Sequence, residues 1–107
     1  MPPVRGEVYR LKSPRGTQGH EQGGRRFAVV VQADIFPLST WVVAPTSTSA
    51  RPADFRPEVT VNDVDTLVLC EQITALDPER LGEAVGMLTY GELRRIDVAL
   101  RLLLDLA

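Results

Sequence analysis

The sequence is poor in the residues that build crosslinked or metal-binding proteins. Its 107 residues include one cysteine, Cys70, and one histidine, His20. A single cysteine excludes an intramolecular disulfide and favours a reducing compartment, so we expect a cytoplasmic protein. One histidine and one cysteine also do not make a zinc site, and we expect neither a metal nor a cofactor.

Long hydrophobic runs are missing as well. No window approaches the roughly 20 apolar residues that a membrane-spanning helix needs, so we expect no membrane association. The first ten residues carry Arg5 and lack the apolar region of a signal peptide. The hydrophobic fraction of 44% is ordinary for a folded core, and the length predicts one domain over residues 1–107.

Neither positive nor negative charge dominates the sequence, but the charged residues are unevenly distributed along it. The formal net charge is −2, which by itself argues against a nucleic-acid partner. Residues 1–34, however, hold six cationic against three acidic side chains, a net +3, which leaves −5 for the rest. A locally positive site on an acidic chain can still bind a phosphate backbone, because binding depends on the electrostatic field at the site and not on the net charge of the chain.

The pattern of short apolar runs predicts a mainly β fold. Thr89 and Glu92 form a capping box ahead of a leucine-rich C-terminal helix, part of which we expect to contact a second subunit. Asp77 and Pro78 indicate a separate helical turn. Pro45 is expected to end the third strand, and a four-residue turn is expected at 62–65. Strands are predicted at residues 4–11, 27–32, 40–44, 58–61, 66–70 and 84–88. We therefore expect a small, half-open β-barrel closed by the helix.

A glycine-bracketed polar loop directly before the second strand concentrates the reactive side chains: His20, Glu21, Gln22, Arg25 and Arg26. An arginine binds two phosphate oxygens at once, and glycines allow a phosphate to approach closely. Histidine carries protons well near neutral pH, whereas a carboxylate beside two arginines is a weak base. The alternatives are an Arg26–Glu21 ion pair and an exposed histidine with no role.

Five segments in order resemble the MazF/PemK family, the ribosome-independent messenger-RNA endonuclease toxins of bacterial toxin–antitoxin pairs. They cover nearly the whole chain, and the second is similar to the family signature G-x-E-Q-x-G-x-R. Three positions depart from the family pattern: Phe27 replaces a proline, Ser47 a threonine and His20 a serine. The five segments are residues 5–9, 19–26, 42–48 and 71–73, and then 77–81 with the closing helix.

The resemblance implies an SH3-like barrel of the CcdB/PemK type and a sequence-specific, metal-independent endoribonuclease. In such a reaction the RNA 2′-OH attacks the neighbouring phosphorus and leaves a 2′,3′-cyclic phosphate. The implied catalytic residues are Arg26, Ser47 and Glu21. The implied RNA-binding residues are Arg25, Gln22, His20, Thr46 and Thr48.

The resemblance also implies three partners: single-stranded RNA, a cognate antitoxin and a second copy of the chain. Two other functions stay open at this point. One is a non-enzymatic, CcdB-like toxin that binds DNA gyrase, and the other is a catalytically inactive binding module. The phosphate-binding arginine and the Ser47 hydroxyl favour the nuclease, because a gyrase binder has no use for them. Of the aromatic side chains, Phe36 and Phe55 are the candidates for stacking on RNA bases.

Overall fold

A computed structural model describes residues 3–12 and 26–107. Within these ranges the chain forms strands, two 3₁₀ turns (Cys70–Gln72 and Pro78–Arg80) and one helix, α1, over Tyr90–Leu104. The prediction of a mainly β fold with a C-terminal helix is confirmed. The strands are β1 (Glu7–Leu11), β2 (Phe27–Val30), β3 (Trp41–Ser47), β4 (Glu58–Val61), β5 (Val64–Val68), β6 (Thr74–Leu76) and β7 (Leu81–Met87).

The strands form one curled, antiparallel sheet in the order β4-β5-β3-β2-β1-β7, and β6 pairs with the first half of β3. Strand β2 is buried on both faces, as its unbroken apolar run predicts. Val29 contributes to the core between the sheet and α1, where Ile96 is fully buried. Val30 belongs to a second apolar cluster, in which Tyr9 and Trp41 meet edge to face at 5.6 Å.

The hairpin between β4 and β5 is tighter than expected. Asn62 and Asp63 have φ values of 51° and 64°, and Val61 pairs directly with Val64. Two consecutive residues of positive φ are typical of a type I′ turn, and asparagine and aspartate tolerate that conformation. The turn therefore has two central residues instead of the four predicted, so β5 begins at Val64.

Pro45 does not end the third strand, and that expectation was wrong. Strand β3 continues through it to Ser47, because Pro45 lies where β3 changes partner from β6 to β5. A proline fits a strand where no ladder bond needs its missing N–H. Its carbonyl accepts a hydrogen bond from Leu69 N at 2.8 Å. Thr46 and Ser47, predicted to lie in a loop, are therefore the last residues of the strand.

Helix α1 begins as predicted, with a complete capping box between Thr89 and Glu92. Ile96 and Ala99 pack into the core, while Val98 and Leu102, one turn apart, are more than half exposed. Leu104, the last residue of α1, and Leu106, beyond the helix end, are also more than half exposed. Within residues 3–12 and 26–107, no helix has the length and apolarity needed to cross a bilayer.

The remaining differences concern strand ends. Strand β1 starts three residues later than predicted, because Gly6 adopts a φ of 95° and makes a turn first. Strand β2 ends two residues earlier than predicted, and β5 ends at Val68, where the chain enters the first 3₁₀ turn. Strand β6 is three residues long and was not predicted. Asp77 caps the second 3₁₀ turn as expected, but β7 begins immediately after it and runs through Gly82.

Candidate active site

The beginning of β2 and the end of β3 lie side by side and bring two predicted catalytic residues together. These strands are antiparallel, and Ala28 pairs with Pro45. Extending this register by two residues places Arg26 opposite Ser47. A permanently cationic side chain and a hydroxyl thus adjoin at one end of the sheet. The register thus brings the two predicted catalytic residues near each other, and their catalytic roles stay predictions.

Arg26 is exposed and lies directly before a strand that is rigidly buried. Its carbonyl accepts a hydrogen bond from Leu11 N at 3.0 Å, which fixes its backbone against β1. Its Nε donates to the Thr46 carbonyl oxygen over 3.4 Å, a long contact. The guanidinium consequently lies over the end of β3, and its two terminal nitrogens have no hydrogen-bond partner among the described residues.

Thr46 is fully buried, unlike its neighbours. Its Oγ1 accepts a hydrogen bond from Phe27 N at 3.2 Å, across the two strands. The predicted RNA contact by Thr46 is therefore corrected, because a fully buried hydroxyl that already binds a backbone amide does not face a ligand. Thr46 instead links β2 and β3 beneath Arg26 and Ser47.

The Ser47 hydroxyl is held by the turn that follows the strand. Its Oγ accepts from Ser49 N at 3.2 Å and from Ala50 N at 3.0 Å, and it lies 3.4 Å from Ser49 Oγ. A serine oxygen has two lone pairs and one proton. Since both lone pairs are engaged, the hydroxyl acts as a donor; its acceptor here is Ser49 Oγ over a long contact, which a phosphate oxygen could replace. Thr48, next to it, is exposed as an RNA-binding role would require.

Four predicted site residues fall outside the described ranges: His20, Glu21, Gln22 and Arg25. The positions on either side of this segment are nevertheless fixed. Strands β1 and β2 are adjacent and antiparallel, with Arg10 paired to Phe27. The described residues that flank the segment, Lys12 and Arg26, therefore lie at the same end of β1 and β2. The predicted roles of its four residues stay predictions.

An ion pair near this site was not predicted. Arg56 Nη2 lies 2.7 Å from Glu71 Oε2, and Arg56 Nε donates to the same oxygen at 3.0 Å. The hydrogen bond from Arg56 is the largest of the effects that lower the pKa of Glu71. The two residues are 15 apart in sequence, in a loop and in a 3₁₀ turn, so no periodicity could have revealed the pair.

The aromatic side chains proposed to stack on RNA lie in different surroundings. Phe55 packs against the core, and the Arg56 guanidinium carbon lies 5.4 Å from its ring centroid. Phe36 is half exposed in the β2–β3 connection. That connection joins the opposite ends of these strands from the ends that carry Arg26 and Ser47. Neither ring therefore lies where it would clearly continue the surface formed by Arg26 and Ser47.

Comparison with known proteins agrees with this geometry. The model of a family described as PemK-like, MazF-like toxins of type II toxin–antitoxin systems matches residues 4–104. A candidate toxin of Mycobacterium tuberculosis is 40% identical over 97 residues, which cover 90% of this chain and 92% of that protein. The endoribonuclease MazF of Staphylococcus epidermidis is 34% identical over 110 residues, with coverages of 95% and 91%.

Solved structures show the same fold. MazF of Deinococcus radiodurans superposes with a TM-score of 0.76 at 25% identity, covering 98% of both chains. A mycobacterial endoribonuclease in complex with its cognate antitoxin gives a TM-score of 0.80 at 22% identity, covering 98% of this chain and 97% of that one. Given the family match over residues 4–104 and two relatives more than 30% identical, this chain belongs to the PemK-like, MazF-like toxins of type II toxin–antitoxin systems.

Proposed function

We propose that this protein is a sequence-specific endoribonuclease that cleaves single-stranded messenger RNA in the cytoplasm, without a metal ion and without the ribosome. The observation that carries the proposal is that Arg26 and Ser47 lie at adjoining ends of β2 and β3, where Arg26 Nε donates to the carbonyl of Thr46, next to Ser47. The name of the Staphylococcus epidermidis relative, an endoribonuclease 34% identical to this chain, supports the same activity.

The proposed reaction uses the nucleophile that RNA itself carries. The 2′ oxygen forms a bond to the adjacent phosphorus, and the bond from phosphorus to the 5′ oxygen breaks. One proton leaves the 2′-OH and one is given to the departing 5′ oxygen. The products are a 2′,3′-cyclic phosphate and a 5′-OH. The protein has to move these protons and stabilise the additional negative charge on the phosphorane.

Arg26 is proposed to supply the charge stabilisation, because its guanidinium is always cationic and binds two oxygens in a planar fork. Loss of one such donor costs on the order of 3 kcal/mol in the activation barrier. Ser47 is proposed to donate its hydroxyl proton to the scissile phosphate, since both of its lone pairs are already engaged. Glu21 or His20 is the proposed proton acceptor.

RNA contacts beyond these residues are proposed for Arg25, Gln22 and Thr48. Sequence specificity would come from unstacked bases that are read in the loops around the site. A cognate antitoxin is the proposed inhibitor, since the family consists of the toxins of toxin–antitoxin pairs. An acidic, disordered antitoxin segment could compete with RNA for the cationic site.

A homodimer is the proposed assembly. Val98 and Leu102, four residues apart on α1, are 57% and 59% exposed, and Leu106, beyond the helix, is 58% exposed. Side chains four apart on a helix lie on one face, and exposed apolar patches mark interaction surfaces. A second copy of α1 would cover this surface.

The activity is tested by incubating a long single-stranded RNA with the purified protein in EDTA. Arg26→Ala and Arg101→Ala are run beside the wild type. Arg101 is an exposed arginine in the last turn of α1, so its variant controls for the loss of one positive charge. Discrete fragments from the wild type and Arg101→Ala, with intact RNA from Arg26→Ala, are expected. Intact RNA in every lane would refute the nuclease proposal and favour a non-enzymatic toxin.

A further inference from the structure

The Arg56–Glu71 ion pair adds a side-chain link between two parts of the chain that the backbone also joins, since Val68 N donates to the Pro57 carbonyl at 2.9 Å. Arg56 belongs to the connection between β3 and β4, and Glu71 to the first 3₁₀ turn. Both side chains are about one-quarter exposed, at 23% and 24%. Arg56 also donates from Nη1 to the Arg51 carbonyl at 3.0 Å. One guanidinium therefore binds both its own loop and the neighbouring turn.

These contacts close a ring that includes Ser47. The connection leaves β3 at Ser47 and reaches Arg56, which binds Glu71. Leu69, two residues before Glu71, donates its amide to the Pro45 carbonyl at 2.8 Å. Pro45 lies two residues before Ser47 in the same strand. The loop that begins at Ser47 is thus tied back to the strand that it leaves.

We propose that Arg56 and Glu71 are a positioning pair for RNA cleavage, which holds residues 48–56 so that the Ser47 hydroxyl stays aimed as a donor at the scissile phosphate. The inference rests on the proposed function. The hydroxyl is oriented by the amides of Ser49 and Ala50. Arg56, held by Glu71, binds the Arg51 carbonyl next to Ala50 and so fixes the part of the loop that carries these amides.

An ion pair exposed to this extent contributes little to global stability, because solvent screens it. Its effect is instead local, since fixing a flexible connection removes conformations in which the Ser49 and Ala50 amides no longer point at Ser47. Arg56 itself is engaged by Glu71 and by the Arg51 carbonyl, which distinguishes it from an arginine free to bind RNA.

A matched control pair exists elsewhere in the fold. Arg5 Nη2 lies 2.6 Å from Asp97 Oδ1, with side chains 28% and 30% exposed. Arg5 also donates to a backbone carbonyl, that of Val31, at 2.8 Å. It thus reproduces the chemistry of Arg56 at the opposite end of β2 and β3, away from Ser47. Arg5→Ala controls for the loss of a similarly exposed ion pair.

The first test measures kcat and KM for a short RNA containing the cleavage site. Arg56→Ala and Glu71→Ala are each expected to lower kcat about tenfold, with KM changed less than twofold. The double variant should be no slower than either single variant, because the residues act as a unit. Arg5→Ala should keep the wild-type kcat. A raised KM in Arg56→Ala with unchanged kcat, or an unaffected Glu71→Ala, would overturn the proposal in favour of a direct RNA contact.

The second test does not depend on activity, so it separates this inference from the proposed function. Amide hydrogen exchange at Ala50 is followed by NMR in the same variants. Exchange is expected to accelerate at least tenfold in Arg56→Ala and Glu71→Ala, and to stay unchanged in Arg5→Ala. Unchanged exchange at Ala50 in the first two variants would refute the positioning role, whether or not the wild type cleaves RNA.

Discussion

The buried hydroxyl of Thr46 makes a prediction that can be worked out from the structure. In Thr46→Val the shape of the side chain is kept, but the acceptor for Phe27 N is lost. Phe27 is 4% exposed, so its N–H cannot turn to water for a replacement. A buried donor left without a partner costs about 1–3 kcal/mol. At about 4 °C per kcal/mol for a chain of this size, the melting temperature should fall by roughly 4–12 °C.

Thr66 provides a matched control for that substitution. It is also a strand residue and is 2% exposed, but its Oγ1 has no hydrogen-bond partner among the described residues. Thr66→Val therefore removes an unsatisfied polar atom and should be neutral or stabilising by up to about 1 kcal/mol. Urea denaturation and thermal melting of both variants compare the two sites. If Thr46→Val were no less stable than Thr66→Val, the structural role assigned to Thr46 would be wrong.

Three further predictions concern the hydroxyl, the exposed helix and the thiol. Ser47→Ala should lower kcat by about 10²-fold, as expected when one transition-state donor is lost, and Thr48→Ala should lower kcat less. The reverse order would show that Thr48 supplies the hydroxyl. Leu102→Glu should raise the dimer dissociation constant at least tenfold in sedimentation equilibrium, because a leucine buried in the interface contributes about 1.5–3 kcal/mol. An unchanged dissociation constant would place the interface elsewhere. Burial, the main cause, raises the pKa of Cys70 from 9.0 to about 11. Its folded-state pKa is thus above its unfolded value, so this contribution to stability is present below about pH 9 and is lost as the pH rises towards 11. Urea midpoints of the wild type should therefore fall more steeply than those of Cys70→Ala over that range; parallel curves would contradict the assignment.

Sequence patterns predicted the elements that depend on local chemistry. The capping box at Thr89 and the cap at Asp77 are present because a side chain three or fewer residues away satisfies a helix-end amide. The doubly buried β2 follows from its unbroken apolar run. These features need no knowledge of distant parts of the chain.

Features that depend on the sheet as a whole could not be predicted in this way. Pro45 is tolerated because β3 changes partner there, and the short β6 exists because β3 leaves half of its edge to be paired. The resemblance predicted that Arg26 and Ser47 belong to one site, and this stays a prediction, whereas the burial of Thr46 became visible only in the structure of β2 and β3. The Arg56–Glu71 pair likewise required the fold.

The most direct test of the account uses an RNA with one atom removed. Once fragment ends have identified a cleavage site, a short RNA is made with a 2′-deoxyribose at the residue whose 2′-OH would attack. In EDTA the protein should cleave the unmodified RNA to a 2′,3′-cyclic phosphate and a 5′-OH, detected by mass spectrometry, and should leave the deoxy-substituted RNA intact. Cleavage of the deoxy-substituted RNA at the same bond, or undiminished cleavage by Arg26→Ala, would contradict the account.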